Sequence, residues 1–421
     1  MMRYPQMVKV KQRFPSEKIE NIAQHLTEEL KNKLPAVQSG DKIAITVGSR
    51  GISNRVSIVK TVVDYLKGHD AKPFIIGAMG SHGGGTPEGQ MDVLESLGFT
   101  EEAIGCPVRT SSTVVEVGTT ESGFTLYCDE SAWKSDGIIV LNRVKLHTAF
   151  RGPNESGLLK MITVGLGKAM GANQLHRQGP PNMSKTVQEV GIGMIDTGKI
   201  LAGIAIVENS YDETAHLEVI RSESILERER ELLLRSREYF PMIPVDHLDV
   251  LVIKKMGKNF SGTGMDTNVL GRTKIFGVPE PATPSFKRIG VLDLDDSSHG
   301  NATGIGLADL TTERLFQKVD RQKTYLNCLT STYVQRAMIP MVLDTDQELV
   351  KTAIDSLAVD DPSSLRVAII ENTLDLETLY LSQNVIEEAG EKIDIVSDPE
   401  PIPFTKDGEL NYFKESAGGD N

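Results

Sequence analysis

Strand-length apolar runs in this chain are repeatedly followed by a glycine-rich or polar turn and then by apolar residues at helical spacing. The clearest runs in the first half lie at 42–47, 72–78, 136–141 and 200–207. Residues 54–66 show the helical part of the pattern, with valine and leucine side chains on one face. Strands that alternate with helices in this way are typical of parallel sheets covered by helices. The sequence therefore predicts an α/β fold.

The same alternation starts again after a segment at 241–249 that is flanked by prolines. Strand-length runs follow at 250–255, 287–294 and 365–370, with predicted helices near 306–318, 346–357 and 375–389. A chain of 421 residues exceeds the size at which single cores stop growing, about 250–300 residues. We therefore predict two domains, 1–245 and 246–421. Each has a largely parallel sheet flanked by helices, and the active site is expected in the cleft between them.

Composition excludes several classes of function. The formal net charge of −13 and the pI near 5.2 argue against a nucleic-acid-binding surface, which would be rich in Lys and Arg. Three cysteines without a C-x-x-C pair suit a reducing compartment better than a disulfide framework. The start of the chain lacks the apolar core of a signal peptide, and no run approaches the ~18 apolar residues of a membrane span. We expect a cytoplasmic protein that binds a small molecule.

Polar residues gather just beyond the strand at 136–141. Lys145 and His147 follow the strand directly, Lys160 lies in a helix-like apolar run, and His176 comes sixteen residues after that lysine. In open α/β sheets, ligands bind outside the carboxyl ends of the strands. The segment 136–177 is therefore the predicted centre of the functional site.

The strand at 72–78 runs into a glycine-rich turn that contains His82. Four glycines after Met79 would allow the backbone to approach a ligand closely. The turn lacks the Gly-Lys-Ser/Thr ending of a P-loop and the glycine spacing of a dinucleotide-binding motif. Two interpretations stay open: a tight strand-to-helix turn with a solvated histidine, or a histidine facing a ligand at the next helix N-terminus.

His147 and Lys160 also admit two interpretations each. A histidine at a strand end is often a structural hydrogen-bonding residue, but His82, His147 and His176 all lie beside strand ends or glycine-rich segments, which favours function. Lys160 either extends its amine from an apolar surface to water or is buried, where desolvation would lower its pKa and make it a nucleophile. No H-E-x-x-H, Cys/His pair or carboxylate triad predicts zinc, and G-x-S-x-G is missing.

The order and spacing of these residues across 45–180 resemble a known family. Ser49-Arg50 is similar to the second half of an Asp-x-Thr-Arg turn, and Gly80-Ser81-His82 to a Gly-x-His turn. Leu146-His147 resembles a Pro-His pair, and Ser156-Gly157-x-x-Lys160 resembles Ser-Gly-Gly-x-Lys. The sixteen-residue step from that lysine to the next histidine also agrees. The family is that of the nickel-pincer-nucleotide-dependent racemases and epimerases, typified by lactate racemase.

The resemblance implies both a cofactor and a reaction. Lys160 would hold the pyridinium nucleotide through its thioamide, and His176 would be the single protein ligand to nickel, since the cofactor supplies the other three ligands. His82 and His147 would flank a 2-hydroxy acid as the acid/base pair. One histidine would take the hydroxyl proton while the α-hydrogen leaves as hydride to the cofactor. Return of the hydride to the opposite face of the planar 2-keto acid would invert the centre.

The resemblance also implies binding residues. Ser49, Arg50 and Gly157 fall in the cofactor-binding turns, and Arg50 would contact the substrate carboxylate or a cofactor phosphate. In the second half, Lys274 resembles a lysine that contacts substrate. The first domain would thus hold the cofactor and the catalytic groups.

The chain departs from the family pattern at three places. Val47 stands where the family has its turn aspartate, three additional residues lengthen the loop between His147 and Lys160, and Trp133 is the single tryptophan. These differences leave the identity of the hydroxy acid open. The sequence predicts an isomerase, a 2-hydroxy acid racemase or epimerase. The alternative is a ligand-binding or sensor protein that keeps the fold without the cofactor. A cofactor-free, dehydrogenase-like enzyme is disfavoured because no G-x-G-x-x-G follows a strand.

Overall fold

The chain forms two compact units in a computed structural model that describes residues 4–49, 51–80 and 82–413. The first unit is Pro15–Phe240, and the second joins the chain before Pro15 to the chain from Pro241 onward. The predicted domains, 1–245 and 246–421, differ from these units at the start of the chain. Strand β1 (Met7–Gln12) belongs to the second unit because it pairs with a strand at Thr378–Ser382.

The first unit contains eight strands among its described residues. They are β2 (Lys42–Val47), β3 (Lys72–Gly77), β4 (Val108–Arg109), β5 (Val114–Thr119), β6 (Thr125–Asp129), β7 (Gly137–Arg143), β8 (Ile200–Glu208) and β9 (Thr214–Arg221). The main sheet has the order β4-β3-β2-β7-β8-β9, and β5 pairs with β6 in a separate antiparallel hairpin. All neighbours in the main sheet are parallel except β8 and β9.

Helices lie on both faces of this sheet. They are α1 (Ile22–Lys33), α2 (Arg55–Lys67), α3 (Pro87–Ser96), α4 (Glu101–Ile104), α5 (Glu130–Trp133), α6 (Leu158–Lys160), α7 (Lys168–His176), α8 (Pro180–Asp196) and α9 (Ile225–Glu238). In the central strand β7, Ile138 and Val140 pack into one core with α6–α9. Ile139 and Leu141 pack into the other core with α1–α3. Successive side chains of a strand point to opposite faces, so a strand covered on both sides is apolar throughout.

The second unit is built on one mixed sheet in the order β13-β12-β11-β10-β14-β15-β1-β16. Its strands are β10 (His247–Met256), β11 (Ser285–Leu294), β12 (Leu310–Thr312), β13 (Met341–Leu343), β14 (Val367–Ile370), β15 (Thr378–Ser382) and β16 (Ile393–Ile395). Its helices are α10 (Thr267–Leu270), α11 (Glu313–Gln317), α12 (Arg321–Thr330), α13 (Asp346–Asp355) and α14 (Ile386–Ala389). Strands β10–β14 are mutually parallel where they pair, whereas β15, β1 and β16 add antiparallel pairs.

The predicted α/β class, with largely parallel sheets flanked by helices, is confirmed. The predicted location of the active site in an interdomain cleft stays a prediction. Within the described ranges, no helix is long and apolar enough to cross a bilayer.

Candidate active site

Two strand-end turns of the first unit pack against one helical segment, residues 158–176. A Cβ on Gly48, which follows β2, would lie 3.0 Å from Met161 Cε. A Cβ on Gly80, which follows β3, would lie 3.1 Å from Val164 Cγ1. Since β2 and β3 are parallel neighbours, their carboxyl ends bring both turns to the same edge of the sheet, where α/β proteins bind ligands.

The 158–176 segment is not a regular helix. It starts as α6, continues as a π-helical segment at Met161–Leu166, and ends as α7. Such π-helical turns are rare in proteins, and those that occur often lie at functional sites. Lys160 directly precedes the π-helical segment, and His176 is the last residue of α7. The carbonyl oxygen of Thr163 would lie 2.3 Å from a Cβ at residue 171, so the close turn requires Gly171.

The amine of Lys160 contacts the imidazole of His147. Lys160 Nζ lies 2.7 Å from His147 Nε2, and His147 Nδ1 accepts a hydrogen bond from the N–H of Ala149 at 3.1 Å. The Lys160 amine and the His147 imidazole can therefore share a proton between Nζ and Nε2.

The surroundings of His147 oppose its protonation. Burial lowers the pKa of His147 well below its usual value, and the cationic groups of Lys160, Arg151 and Lys145, with the nearby imidazole of His176, lower the pKa further. The ring is consequently neutral near pH 7 and able to accept a proton. The same cationic groups favour the approach of an anionic ligand such as a carboxylate.

The imidazole of His176 has an unpaired nitrogen. Its Nδ1 is buried, and in the described part of the chain no hydrogen-bond partner reaches it. Burial lowers the pKa of His176, and the charge of Lys160 adds to the effect. Buried polar atoms are nearly always paired, and a neutral imidazole nitrogen is a common metal ligand. His176 could thus supply one imidazole nitrogen to a metal ion that receives its other ligands from a cofactor.

No cluster of three or more His, Cys, Asp or Glu residues within the described ranges could hold a metal ion by itself. A site made only of protein ligands would need three or four of them.

His82 lies in the turn after β3 and is exposed. Its Nδ1 forms a hydrogen bond with the hydroxyl of Ser49 in the turn after β2. Gly83 has φ +63°, and a Cβ there would lie 2.5 Å from the backbone of Gly89, so the tight turn requires glycine. At the start of α3, the hydroxyl of Thr86 accepts from the N–H of Gly89 at 3.1 Å, which caps the helix. Through its hydrogen bond, Ser49 orients His82, while Gly83 and Thr86 shape the turn that contains this histidine.

Residues 6–181 match the family model of the lactate racemase N-terminal domain. Over this segment, which is less than half of the chain, the protein is similar to the lactate racemase N-terminal domain. Among solved structures, the lactate racemase apoprotein from Thermoanaerobacterium thermosaccharolyticum is similar to this chain, with a TM-score of 0.52 and 13% sequence identity. The match covers 87% of this chain and 98% of the apoprotein chain. At that identity the match shows a shared fold. No curated protein matches this chain.

The segment matched by the lactate racemase N-terminal domain contains the predicted residues Ser49, His82, His147, Gly157, Lys160 and His176. The structure joins His147 directly to Lys160, and Ser49 to His82. Electrostatic interactions of His176 with both His147 and Lys160 place it beside that pair. Arg50, predicted to bind substrate and cofactor, lies outside the described residues.

Lys274, the other predicted substrate-binding residue, belongs to the second unit. It adopts φ +48°, and its N–H donates to Glu280 Oε1 at 2.8 Å. The second unit lies outside the segment matched by the lactate racemase N-terminal domain, so the contact of Lys274 with substrate stays a prediction.

Sequence reasoning missed Glu155, which binds the backbone of His147 and so supports the candidate site. Its buried carboxylate accepts from the N–H of His147 at 2.7 Å and pairs with Arg237 of α9 at 3.3 Å. Burial raises the pKa of Glu155, whereas its N–H donors and the charges of Arg151 and Arg237 oppose that rise. An acidic residue directly before Ser156-Gly157 was the available signal, but only the fold shows which N–H it binds.

Proposed function

We propose that this protein is a racemase or epimerase of a 2-hydroxy acid and that it uses a nickel-pincer nucleotide. The observation that carries the proposal is the 2.7 Å contact between Lys160 Nζ and His147 Nε2. Beside it, His176 Nδ1 is buried and has no hydrogen-bond partner among the described residues. An amine, a proton acceptor and a metal ligand are three of the protein groups that this cofactor chemistry requires. The match of residues 6–181 to the lactate racemase N-terminal domain supports a racemase-type function.

Two residues would hold the cofactor. Lys160 would form the thioamide link through its unprotonated amine, and His176 would give one imidazole nitrogen to nickel. When bound, the cofactor supplies a hydride acceptor beside the substrate carbon. Ser49 and Gly157 would lie along the nucleotide, and Arg50 would contact its phosphate or the substrate carboxylate.

The remaining steps belong to side chains of the protein. His147 is neutral and buried, so it would take the hydroxyl proton of the substrate on one face. His82, oriented by Ser49, would do the same on the other face, because inversion requires an acid/base group on each side. Lys145 and Arg151 would attract the substrate carboxylate, and Lys274 is the further substrate contact that the sequence predicts. The three free, buried cysteines support a reducing compartment such as the cytoplasm.

The proposal is tested with protein produced in cells that make the cofactor. Elemental analysis should find about one nickel per chain, since one imidazole is offered. The peptide that contains Lys160 should carry the mass of the nucleotide. Chiral chromatography of a panel of 2-hydroxy acids should show conversion of one enantiomer or epimer. A protein that binds a hydroxy acid without nickel, adduct or conversion would instead be the ligand-binding or sensor protein.

Replacing His176 with alanine should remove nickel while leaving the fold intact. The imidazole makes no hydrogen bond through Nδ1 within the described ranges, so little structural support is lost. Nickel content per chain, measured after gel filtration, should fall close to zero. His69→Ala is the matched control, because His69 is an exposed histidine of the same unit whose Nδ1 bonds the carbonyl of Tyr65 in α2. Unchanged nickel in His176→Ala would refute the ligand assignment.

Replacing His82 with alanine should abolish inversion in both directions, because each direction needs one histidine as the base and the other as the acid. The exposed imidazole can be removed with little effect on packing, so thermal unfolding should stay the same. Initial rates measured from each enantiomer separately are the informative readout. Ser49→Ala, which removes only the hydroxyl that orients His82, should have a smaller effect of the same kind. Full activity of His82→Ala in both directions would exclude this histidine from the mechanism.

A further inference from the structure

The helix that carries Lys160 is capped by a residue from another helix. Its N-cap is Gly157, which offers no side-chain acceptor. The N–H of Leu159 instead donates to Glu229 Oε2 at 2.9 Å, and the N–H of Leu158 interacts with the same carboxylate. Helix N-termini leave their first N–H groups unsatisfied. Glu229 of α9 therefore replaces the missing cap.

The carboxylate of Glu229 is held in place from its other side. Glu229 is 1% exposed, and its Oε1 accepts a hydrogen bond from Asn154 Nδ2 at 3.1 Å. Asn154 is fixed in turn, because its Oδ1 accepts from Arg230 Nε at 3.1 Å. Burial raises the pKa of Glu229, while the N–H donors of Leu159 and Asn154 oppose that rise. A buried acceptor with this many donors is a fixed structural point.

Gly157 is shaped for this contact. A Cβ at position 157 would lie 2.5 Å from Glu229 Oε2, so a side chain there would displace the carboxylate. The carbonyl of Gly157 accepts from Asn142 Nδ2 at 2.8 Å, which ties the helix start to the end of β7. The glycine predicted to bind cofactor therefore also admits the cap.

The same helix reaches the partner of Lys160. Arg237 of α9 pairs with Glu155, whose carboxylate accepts from the N–H of His147. One helix thus supports both members of the His147–Lys160 contact through two buried carboxylates. The distance between Lys160 Nζ and His147 Nε2 therefore depends on the positions of Glu229 and Glu155.

We propose that Glu229 is a positioning residue: it fixes the start of α6 so that Lys160 Nζ meets His147 Nε2. This inference rests on the proposed function for its catalytic meaning, but the capping itself does not. Glu229 touches neither substrate nor cofactor in this scheme. Its removal lets the first turn of α6 open and the lysine leave the histidine.

Capping is measured first, in protein without cofactor. Hydrogen exchange of the peptide that spans 158–162 should become at least about fivefold faster in Glu229→Leu, the factor expected for a lost helix cap. Glu229→Gln should restore most of the protection, because its amide oxygen can accept from Leu159. Glu231→Leu is the matched control, since Glu231 is an exposed residue of α9 paired with Arg228. Unchanged exchange in Glu229→Leu would overturn the proposal whatever the enzyme does.

Activity is measured second, with cofactor-loaded protein. In Glu229→Leu, kcat should fall by about a hundredfold, the effect of a displacement near 1 Å in an active site, with KM unchanged and with rescue in Glu229→Gln. Equal kcat in wild type and Glu229→Leu, despite faster exchange, would refute the positioning role. If wild type itself lacks adduct and activity, the proposed function fails, and the exchange result still decides whether Glu229 caps α6.

Discussion

His147→Ala should lower kcat for 2-hydroxy acid racemisation by about 10²–10⁴-fold, the range expected for loss of a general acid/base group. The imidazole is buried and neutral, and its Nε2 faces the amine of Lys160 at 2.7 Å. The backbone N–H of residue 147 is held by Glu155 independently of the side chain. The loop should therefore stay in place, and KM should change little.

Chiral chromatography under saturating substrate gives the change in kcat, and His147→Gln is the informative second variant. Glutamine can still hydrogen-bond Lys160 but cannot transfer a proton, so its kcat should be as low as that of alanine. The mass of the Lys160 peptide shows whether the cofactor is still attached. If either variant kept more than a tenth of wild-type kcat with the cofactor attached, His147 would not be an acid/base group.

The strand ends of the first unit could be predicted because their signals are local. Apolar runs that stop at Gly48 and Gly77 are continuous in the sequence, and parallel pairing then brings the following turns to one edge. His82 and His147 follow from such local patterns. The contacts of Glu229 with Asn154 and Leu159 do not, because they join residues about 70 positions apart. Only the packing of α9 on α6 creates them.

The helix predicted at 375–389 was wrong except at its end, where α14 forms at Ile386–Ala389. Leu376, Leu379 and Tyr380 have the spacing of a helix face, and the segment was predicted as a helix. The structure forms β15 at Thr378–Ser382, because β1 from the other end of the chain pairs with it. Short apolar runs fit either period, and tertiary pairing decides between them. The π-helical segment at Met161–Leu166 was missed for a similar reason, since propensities do not distinguish π from α turns.

The buried lysine at position 168 was also missed, and its effect on stability should be large. Lys168→Met should lower the free energy of unfolding by about 3–5 kcal/mol, the cost of breaking a buried ion pair. Lys168 is 1% exposed, and its Nζ lies 3.1 Å from Asp129 Oδ2 and bonds the carbonyl of Gly77. Without the amine, Asp129 remains buried and ionised, and it still accepts from the N–H of Ala132 at 2.9 Å.

Thermal unfolding of the whole chain measures this loss, which corresponds to roughly 6–20 °C for a unit of this size. Lys168→Met with Asp129→Asn should recover most of it, because asparagine removes the unpaired charge and keeps an acceptor for Ala132. Lys134→Met, which breaks an exposed pair with Glu130, should change stability by less than about 1 kcal/mol. A Lys168→Met protein as stable as wild type would exclude the ion pair as a support of the fold.

Lys168 connects the end of β3, before the His82 turn, to the helix that ends in His176. It does so with φ +50°, a conformation that costs lysine about 1–2 kcal/mol. The double variant should therefore regain stability more fully than activity, because a neutral pair no longer fixes these two elements against each other.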